Sequence, residues 1–283
     1  MPRYFIEVAY KGTAYSGFQV QQNAVTIQSE VEKALQTFFK QTFSLTGASR
    51  TDAGVHALQN YFHFDTNHPL RGSNKSNELQ PSKVPSPGGD LGEAFSPGGY
   101  LGEAFSFGGD LGKAGFTYNL NAILLKDIVI KRIFQVDENA HCRYDAVSRE
   151  YKYFIYKKKD PFLSDRAYFY PYKLDIGKLN EAAEIILQHK DFTSFSKRNT
   201  QVNNFMCDVQ KSEWIIEKDR LIYYVKANRF LRGMVKGLVG TMLRVGANKI
   251  SLDQFDDIIK EKNCSKADFS VPSHALFLVS VGY

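Results

Sequence analysis

Apolar residues recur along the chain at helical spacing in some segments and at strand spacing in others. Segment 26–41 carries them three and four residues apart, at Ile27, Val31, Leu35, Phe38 and Phe39. This spacing predicts an amphipathic helix with Thr26 as its N-cap. The same spacing predicts further helices over 176–189 and 230–245.

Shorter runs rich in aromatic and β-branched residues predict strands between these helices. The predicted strands cover 3–11, 43–46, 58–64, 127–136, 143–157, 214–217, 221–227 and 276–281. The strand–helix–strand order occurs once in each half of the chain. This order predicts an α+β fold of two similar half-domains, each an antiparallel or mixed sheet with helices on one face, and a cleft between them.

A repeated segment interrupts the first half of the chain. Residues 86–95, 96–105 and 106–115 are near-copies of one Gly-rich unit, and a polar lead-in precedes them from Leu70. Structural repeats usually need 20 or more residues and an apolar face, so a disordered insertion over 70–115 is favoured over a stacked repeat. The N-terminal half-domain then comprises 1–69 and 116–137, and the C-terminal half-domain 138–283.

Composition excludes some classes of protein. Lys and Arg number 36 against 30 Asp and Glu, a net charge of +6 that permits a polyanionic partner without requiring one. Three widely spaced cysteines outside any C-x-x-C pair disfavour a disulfide framework and a zinc site, and favour a reducing cytoplasm. The histidines also lack metal-ligand spacing, and no apolar run approaches the roughly 20 residues that cross a bilayer. We expect no metal and no membrane association.

Candidate chemistry is concentrated in segment 47–57, which reads GASRTDAGVHA. Arg50 and Asp52 lie two residues apart between Gly47 and Gly54, and glycine lets a backbone approach a ligand closely. The two charged side chains could grip a phosphate and attack a carbon, respectively. They could equally form a surface salt bridge within a turn.

The same segment resembles the signature of the TruA-type tRNA pseudouridine synthases, which is close to G-R-T-D-A-G-V-H-A. Further motifs similar to that family follow in its order at 10–19, 119–121, 149–153, 191–195 and 230–240. The resemblance covers nearly the whole chain outside the insertion. Phe18 stands where the family usually has Trp, and segment 271–276 departs from the usual A-P-x-x-G-L.

The resemblance implies a homodimer of two-domain subunits that isomerises uridine to pseudouridine at positions 38, 39 and 40 in the anticodon arm of tRNA. It implies no metal and no organic cofactor. Asp52 matches the catalytic carboxylate, and Arg50 the arginine thought to help hold the flipped-out base. Tyr151 matches the tyrosine on the uracil face, and Leu276 the leucine that lines the base pocket.

Lys236 occupies the position of a family arginine directed towards the catalytic aspartate. Lysine keeps the charge but loses the two-pronged planar contact. Arg232 and Arg244 share its helix face at multiples of four residues, so the three cations line either an RNA cleft or a solvated surface. Lys152 and Arg143 are weaker candidates for RNA contact, because solvated basic residues are common.

Two alternatives remain open at this point. The Lys236 substitution and the insertion are compatible with a non-catalytic RNA-binding relative of the same fold. A carboxylate-dependent hydrolase would require a second acid near Asp52, for which Asp65 is the nearest candidate in sequence.

Overall fold

The structure is a computed structural model that describes residues 1–67, 111–198 and 202–283. The strands in these ranges are β1 (Arg3–Tyr10), β2 (Thr46–Gly47), β3 (His56–Asp65), β4 (Ile128–Val136), β5 (Ser148–Tyr156), β6 (Tyr168–Phe169), β7 (Val209–Glu217), β8 (Arg220–Ala227) and β9 (Leu276–Gly282). The helices are α1 (Ile27–Phe39), α2 (Leu111–Ile123), α3 (Ile176–Leu187), α4 (Met234–Gly246) and α5 (Leu252–Lys260). None of these helices is long and apolar enough to cross a membrane.

One sheet runs through both halves of the chain, in the order β4-β1-β3-β9-β5-β8-β7. Strands β2 and β6 pair with β3 and β5 at its sides. The two halves meet where β3 pairs in parallel with β9, His56 opposite Phe277 and Ala57 opposite Leu278. The mixed α/β fold with helices on one face is confirmed, and its two halves share a continuous sheet.

The first helix forms for a local reason. Thr26 accepts a hydrogen bond from the backbone N–H of Ser29, whose hydroxyl in turn accepts one from the N–H of Thr26, a reciprocal capping box. The helix buries Ile27, Val31 and Leu35 and ends at Lys40 in the left-handed conformation, with φ of 58°. The predicted helix 26–41 is therefore confirmed to within two residues at each end.

The core lies between the sheet and its helices. Helix α3 packs on β7 and against α4, while α2 packs on β4 and against α1. Strand β5 is buried on both faces. On the helix side, Tyr151, Tyr153 and Ile155 join the main core. Phe154 and Tyr156 alternate with them and join a smaller apolar cluster on the other side.

Local turns explain two of the predicted boundaries that are wrong. The predicted strand 143–157 begins only at Ser148, since the preceding residues form a turn in which the Nδ1 atom of His141 accepts the backbone N–H groups of Arg143 and Tyr144. The predicted helix 230–245 begins at Met234, since Gly233 adopts φ of 75° and the Met234 N–H closes a turn onto Leu231.

Three further differences from the predicted elements concern β2, α5 and α2. The predicted strand 43–46 is reduced to the two residues of β2. Helix α5 was not predicted, although Ser251 and Gln254 cap it reciprocally. Helix α2 begins at Leu111, within the last copy of the repeat.

The predicted insertion 70–115 lies outside the described residues except for 111–115. We expect that replacing 70–110 by a short Gly/Ser linker leaves tRNA modification intact, because shortening a connection from about 50 to about 10 residues changes its closure cost by only about 1.4 kcal/mol. Modification assays and thermal unfolding of the shortened protein check this. A shortened protein that fails to fold, or native resistance of this segment to limited proteolysis, would show a structural role for the repeat.

Candidate active site

The loop between β2 and β3, residues 48–55, carries Asp52 and is called the Asp52 loop below. Backbone hydrogen bonds fix it at both ends: the Ala48 N–H donates to the Tyr61 carbonyl at 2.8 Å and the Val55 N–H to the Asp52 carbonyl at 3.2 Å. In its middle, the Phe18 N–H donates to the Thr51 carbonyl at 3.1 Å. The conformation of the loop therefore does not depend on the Asp52 carboxylate.

Buried side chains hold the same loop from the sheet. The Asn60 amide donates to the Ser49 carbonyl at 2.9 Å and to the Tyr10 hydroxyl at 3.2 Å. The Tyr10 hydroxyl also lies 2.8 Å from the Thr51 hydroxyl. Asn60 is fully buried, so these bonds form where water cannot replace them.

Glycine is required where the end of β1 meets this loop. A Cβ at Gly12 would lie 2.0 Å from the Val55 carbonyl oxygen, and no side chain tolerates such a contact. The Gly12 N–H donates to the Nδ1 atom of His56, whose burial lowers its pKa to about 4. The opening motif of the chain therefore holds the Asp52 loop against β1.

Asp52 faces a cleft of about 1350 Å³. The cleft lies where the two halves of the sheet meet, between the Asp52 loop, β5, segment 228–236 and the first residue of β9. The Asp52 side chain keeps 31% of its exposure, so it is reachable but only partly hydrated.

The cleft is strongly basic. Among the described residues that line it, Asp52 is the one carboxylate, and the basic ones are Arg50, Arg143, Arg149, Arg229, Arg232 and Lys236. A positive wall of this kind concentrates a polyanion at the surface.

Arg232 is the cation that lies nearest to the Asp52 carboxylate. Its Nε atom lies 3.9 Å from Oδ1 of Asp52. Sequence reasoning placed Arg232 only among the candidate RNA contacts, because its distance from Asp52 depends on the turn that precedes α4. Arg229 was missed altogether, and Arg149 was noted only as part of a motif.

Lys236 lies in the first turn of α4, in the cleft wall. Its Nζ atom donates to the Ser273 hydroxyl at 3.2 Å. Burial and the neighbouring Lys197 lower the pKa of Lys236, whereas the Asp52 carboxylate raises it. Lys236 and Asp52 thus line the same cleft and interact electrostatically, but the hydrogen bond of Lys236 goes to Ser273.

Arg50 lies in the cleft without pairing with Asp52. Its guanidinium donates to the Gln19 side chain at 3.3 Å, and no ion pair joins it to Asp52 in the described part of the chain. Burial and then the like charge of Arg143 lower the pKa of Arg50. A salt bridge within the turn is therefore not the role of this arginine.

Tyr151 and Leu276 form the apolar side of the cleft. The Tyr151 ring meets the Phe230 ring edge-on, with 5.0 Å between centroids, and burial raises the pKa of its hydroxyl. Leu276 opens β9, which pairs with β5, and both side chains are mostly buried. The structure thus brings both residues to the cleft that contains Asp52.

Arg244 and Lys152 do not line the cleft. Arg244 lies about 12 Å along α4 from Lys236 by helical rise, and its guanidinium donates to the Lys266 carbonyl at 3.5 Å. Lys152 follows Tyr151 on β5, so it points to the opposite face of the sheet, over the Tyr224 ring. Of the three cations predicted to share one face of this helix, Arg232 and Lys236 therefore line the cleft and Arg244 does not.

No group of three or more His, Cys, Asp or Glu side chains that could hold a metal ion occurs among residues 1–67, 111–198 and 202–283. The His63 imidazole contacts the Cys142 sulfur at 3.1 Å, and burial raises the pKa of that thiol to about 12. This pair is part of the core.

The Tyr10 hydroxyl gives a test of how the loop is positioned. We expect Tyr10→Phe to lower the free energy of unfolding by about 1 to 3 kcal/mol, because the hydroxyl makes two buried neutral hydrogen bonds, with Thr51 and Asn60, at about 0.5 to 1.5 kcal/mol each. Because Thr51 precedes Asp52, the turnover rate should also fall several-fold while KM changes little. Denaturant unfolding and steady-state kinetics measure the two effects.

Tyr223→Phe is the matched control. The Tyr223 hydroxyl lies 2.9 Å from the Ser212 hydroxyl, equally buried but outside the cleft lining. Its loss of stability should be about half that of Tyr10→Phe, because one hydrogen bond is lost instead of two, and its turnover should be unchanged. Equal kinetic effects in the two variants would show that loop positioning is not specific to Tyr10.

Comparison with known proteins gives consistent matches. A family model described as tRNA pseudouridine synthase matches residues 6–87 and 182–283. A curated protein from Parabacteroides distasonis, named tRNA pseudouridine synthase A, is 38% identical over 283 residues, covering 100% of this chain and 96% of its own length.

Two further relatives carry the same name. The protein from Bacteroides fragilis is 39% identical over 282 residues, covering 99% of this chain and 96% of its own. The protein from Staphylococcus aureus is 32% identical over 281 residues, covering 99% and 90%. The similarity therefore extends along the full chain.

Proposed function

This chain belongs to the tRNA pseudouridine synthase family, and we propose that Asp52 is the carboxylate with which it isomerises uridine in the anticodon arm of tRNA. The observation that carries the proposal is the position of Asp52. It is the one carboxylate among the described residues lining a cleft with six basic side chains.

The reaction explains why a carboxylate is needed at this point. The bond between uracil nitrogen and ribose must break, and a carbon–carbon bond must form from the same ribose to carbon 5 of the base. A fixed, partly desolvated carboxylate can act as nucleophile or base in this exchange. Asp52 has both properties, since its loop is held by backbone bonds and two-thirds of its side chain is covered.

The target uridine must leave its stack before it can reach Asp52. Flipping a base costs a few kcal/mol, and the extruded base needs a pocket with an aromatic or apolar wall. Tyr151 and Leu276 supply that wall in the cleft. Arg50, which donates a hydrogen bond to Gln19 beside the opening, would contact the RNA strand that the base has left.

The basic wall suits a polyanionic substrate. Arginine and lysine side chains at phosphates release counterions and supply most sequence-independent affinity for nucleic acid. Arg229 is half-buried and Arg232 is exposed on the segment that leads into α4, within the cleft lining. These side chains would contact phosphates of the arm that carries the target.

We place the enzyme in the cytoplasm, where tRNA is modified and where its three unpaired cysteines stay reduced. We also propose that it acts as a homodimer. Sedimentation equilibrium should then give twice the chain mass of 32.1 kDa. A monomeric mass at working concentration would contradict the homodimer alone.

Mapping the modified position tests the proposed function. We expect tRNA transcripts with a uridine at position 38, 39 or 40 to gain pseudouridine there, detected by chemical reverse-transcription stops. Transcripts with cytidine at these three positions serve as the control and should gain none. Modification elsewhere in tRNA would contradict the anticodon arm, and binding without modification would indicate a non-catalytic relative.

A further inference from the structure

A smaller cavity of about 170 Å³ adjoins the cleft. The two share Phe18, Gln19, Arg50, Arg143 and Tyr144, so the cavity opens beside the entrance to the Asp52 cleft. Its floor comes from Gln28 and β2. The reaction as described above assigns no role to this cavity.

Tyr144 is an exposed aromatic side chain at the border between cavity and cleft. It keeps 75% of its exposure, although the surrounding turn is firmly held. The Nδ1 atom of His141 accepts the N–H groups of Arg143 and Tyr144, and the His141 ring lies 4.2 Å from the Tyr144 ring. The Tyr144 ring is thus presented to solvent on a rigid turn, at little entropic cost for a ligand that stacks on it.

Arginine residues flank this ring. The Arg143 guanidinium lies 5.7 Å from the Tyr144 ring centroid. The Arg143 carbonyl accepts a hydrogen bond of 2.6 Å from the Arg149 guanidinium, which fixes the backbone of the turn. Arg50 faces the same space and is repelled by Arg143, so an anion between the two guanidinium groups would relieve that repulsion.

An exposed aromatic ring beside paired arginines is the arrangement with which proteins bind single-stranded RNA: the ring stacks on a base and the cations contact its phosphate. We propose that Tyr144 stacks on the nucleotide immediately flanking the target uridine and that Arg143 contacts the phosphate of that nucleotide. This inference rests on the proposed function. It adds a subsite that holds the neighbouring base while the uridine occupies the cleft.

Binding experiments without turnover test the subsite. An anticodon stem-loop with 2-aminopurine on one or the other side of the target uridine is titrated into the full-length Asp52→Asn protein. We expect a second substitution, Tyr144→Ala, to raise Kd about tenfold and to brighten the 2-aminopurine at one flank, because stacking on an aromatic ring is lost. Tyr144→Phe should stay within about twofold, since the phenyl ring still stacks.

The charge of Arg143 has its own readout. The slope of log affinity against log salt concentration is negative. With Arg143→Met, its magnitude should decrease by about 0.7, the value for one phosphate contact on a single strand. Arg143→Lys should keep the slope, because the charge remains. A role of Arg143 in the fold alone would leave the slope unchanged.

Tyr172→Ala is the control, an aromatic residue that is 68% exposed and lies outside the lining of both cavities. The inference is overturned if Tyr144→Ala binds as Tyr172→Ala does and neither 2-aminopurine position responds. It is also overturned if Tyr144→Ala changes only the sedimentation mass, which would indicate a protein contact. Full activity of Asp52→Asn in a separate turnover assay would contradict the proposed function without affecting the stacking readout.

Discussion

Replacing Asp52 by asparagine is expected to abolish pseudouridine formation, with a loss of at least about a thousandfold in turnover. Asparagine keeps the shape but removes the charge and the nucleophilicity. A catalytic group contributes to the transition state rather than to ground-state affinity, so Kd for tRNA should change little. Thermal unfolding should also change little, because backbone groups rather than the carboxylate hold the Asp52 loop.

Asp65→Asn is the matched control for this variant. Asp65 ends β3, pairs with Arg3 at 2.8 Å and lies outside the cleft lining, so it is not the second acid that a hydrolase would need. Its replacement should cost some stability at most and leave turnover intact. Residual activity of Asp52→Asn within tenfold of the wild type would contradict the assignment of Asp52.

Replacing Lys236 by methionine is expected to cost about one to three kcal/mol of transition-state stabilisation, the range for loss of a charged hydrogen-bonding partner. Lys236 lies in the cleft wall, donates to Ser273 and shares an electrostatic interaction with Asp52. Methionine preserves the length of the side chain and removes the charge. The loss should therefore appear in kcat/KM and hardly in stability.

Two further substitutions on the same helix sharpen this result. Lys236→Arg should be tolerated, because the charge remains and the family carries arginine here. Arg244→Met should turn over normally, since Arg244 lies outside the cleft. If Lys236→Met also turns over normally, the charge near Asp52 comes from Arg232 alone, and Lys236 belongs to the solvated part of α4.

The sequence was sufficient where a short segment carries its own structural signal. The Asp52 loop, α1 with its cap and the alternating pattern of β5 all follow from residues close together in the chain. The family resemblance predicted Tyr151 to lie near Asp52, and the side of the sheet on which its ring lies follows from strand alternation.

Positions that depend on distant contacts could not be predicted from the sequence. Arg232 reaches Asp52 because β9 inserts between β3 and β5 and because Gly233 turns the chain before α4. Helical periodicity placed Arg232, Lys236 and Arg244 on one face but could not show that the helix starts after Arg232. Lys152 is a different case: it was grouped with the RNA contacts by charge alone, although strand alternation, a local signal, already directs it away from the cleft.

Release of tritium from tRNA labelled at carbon 5 of uridine tests the central claim most directly, because carbon 5 must lose its hydrogen when it bonds to ribose. The wild-type protein should release one tritium per pseudouridine formed, with no free uracil, and Asp52→Asn should release none. Release of uracil would indicate hydrolysis of the glycosidic bond. If the wild-type protein is folded and binds tRNA but all the tritium remains in the tRNA, the account is contradicted.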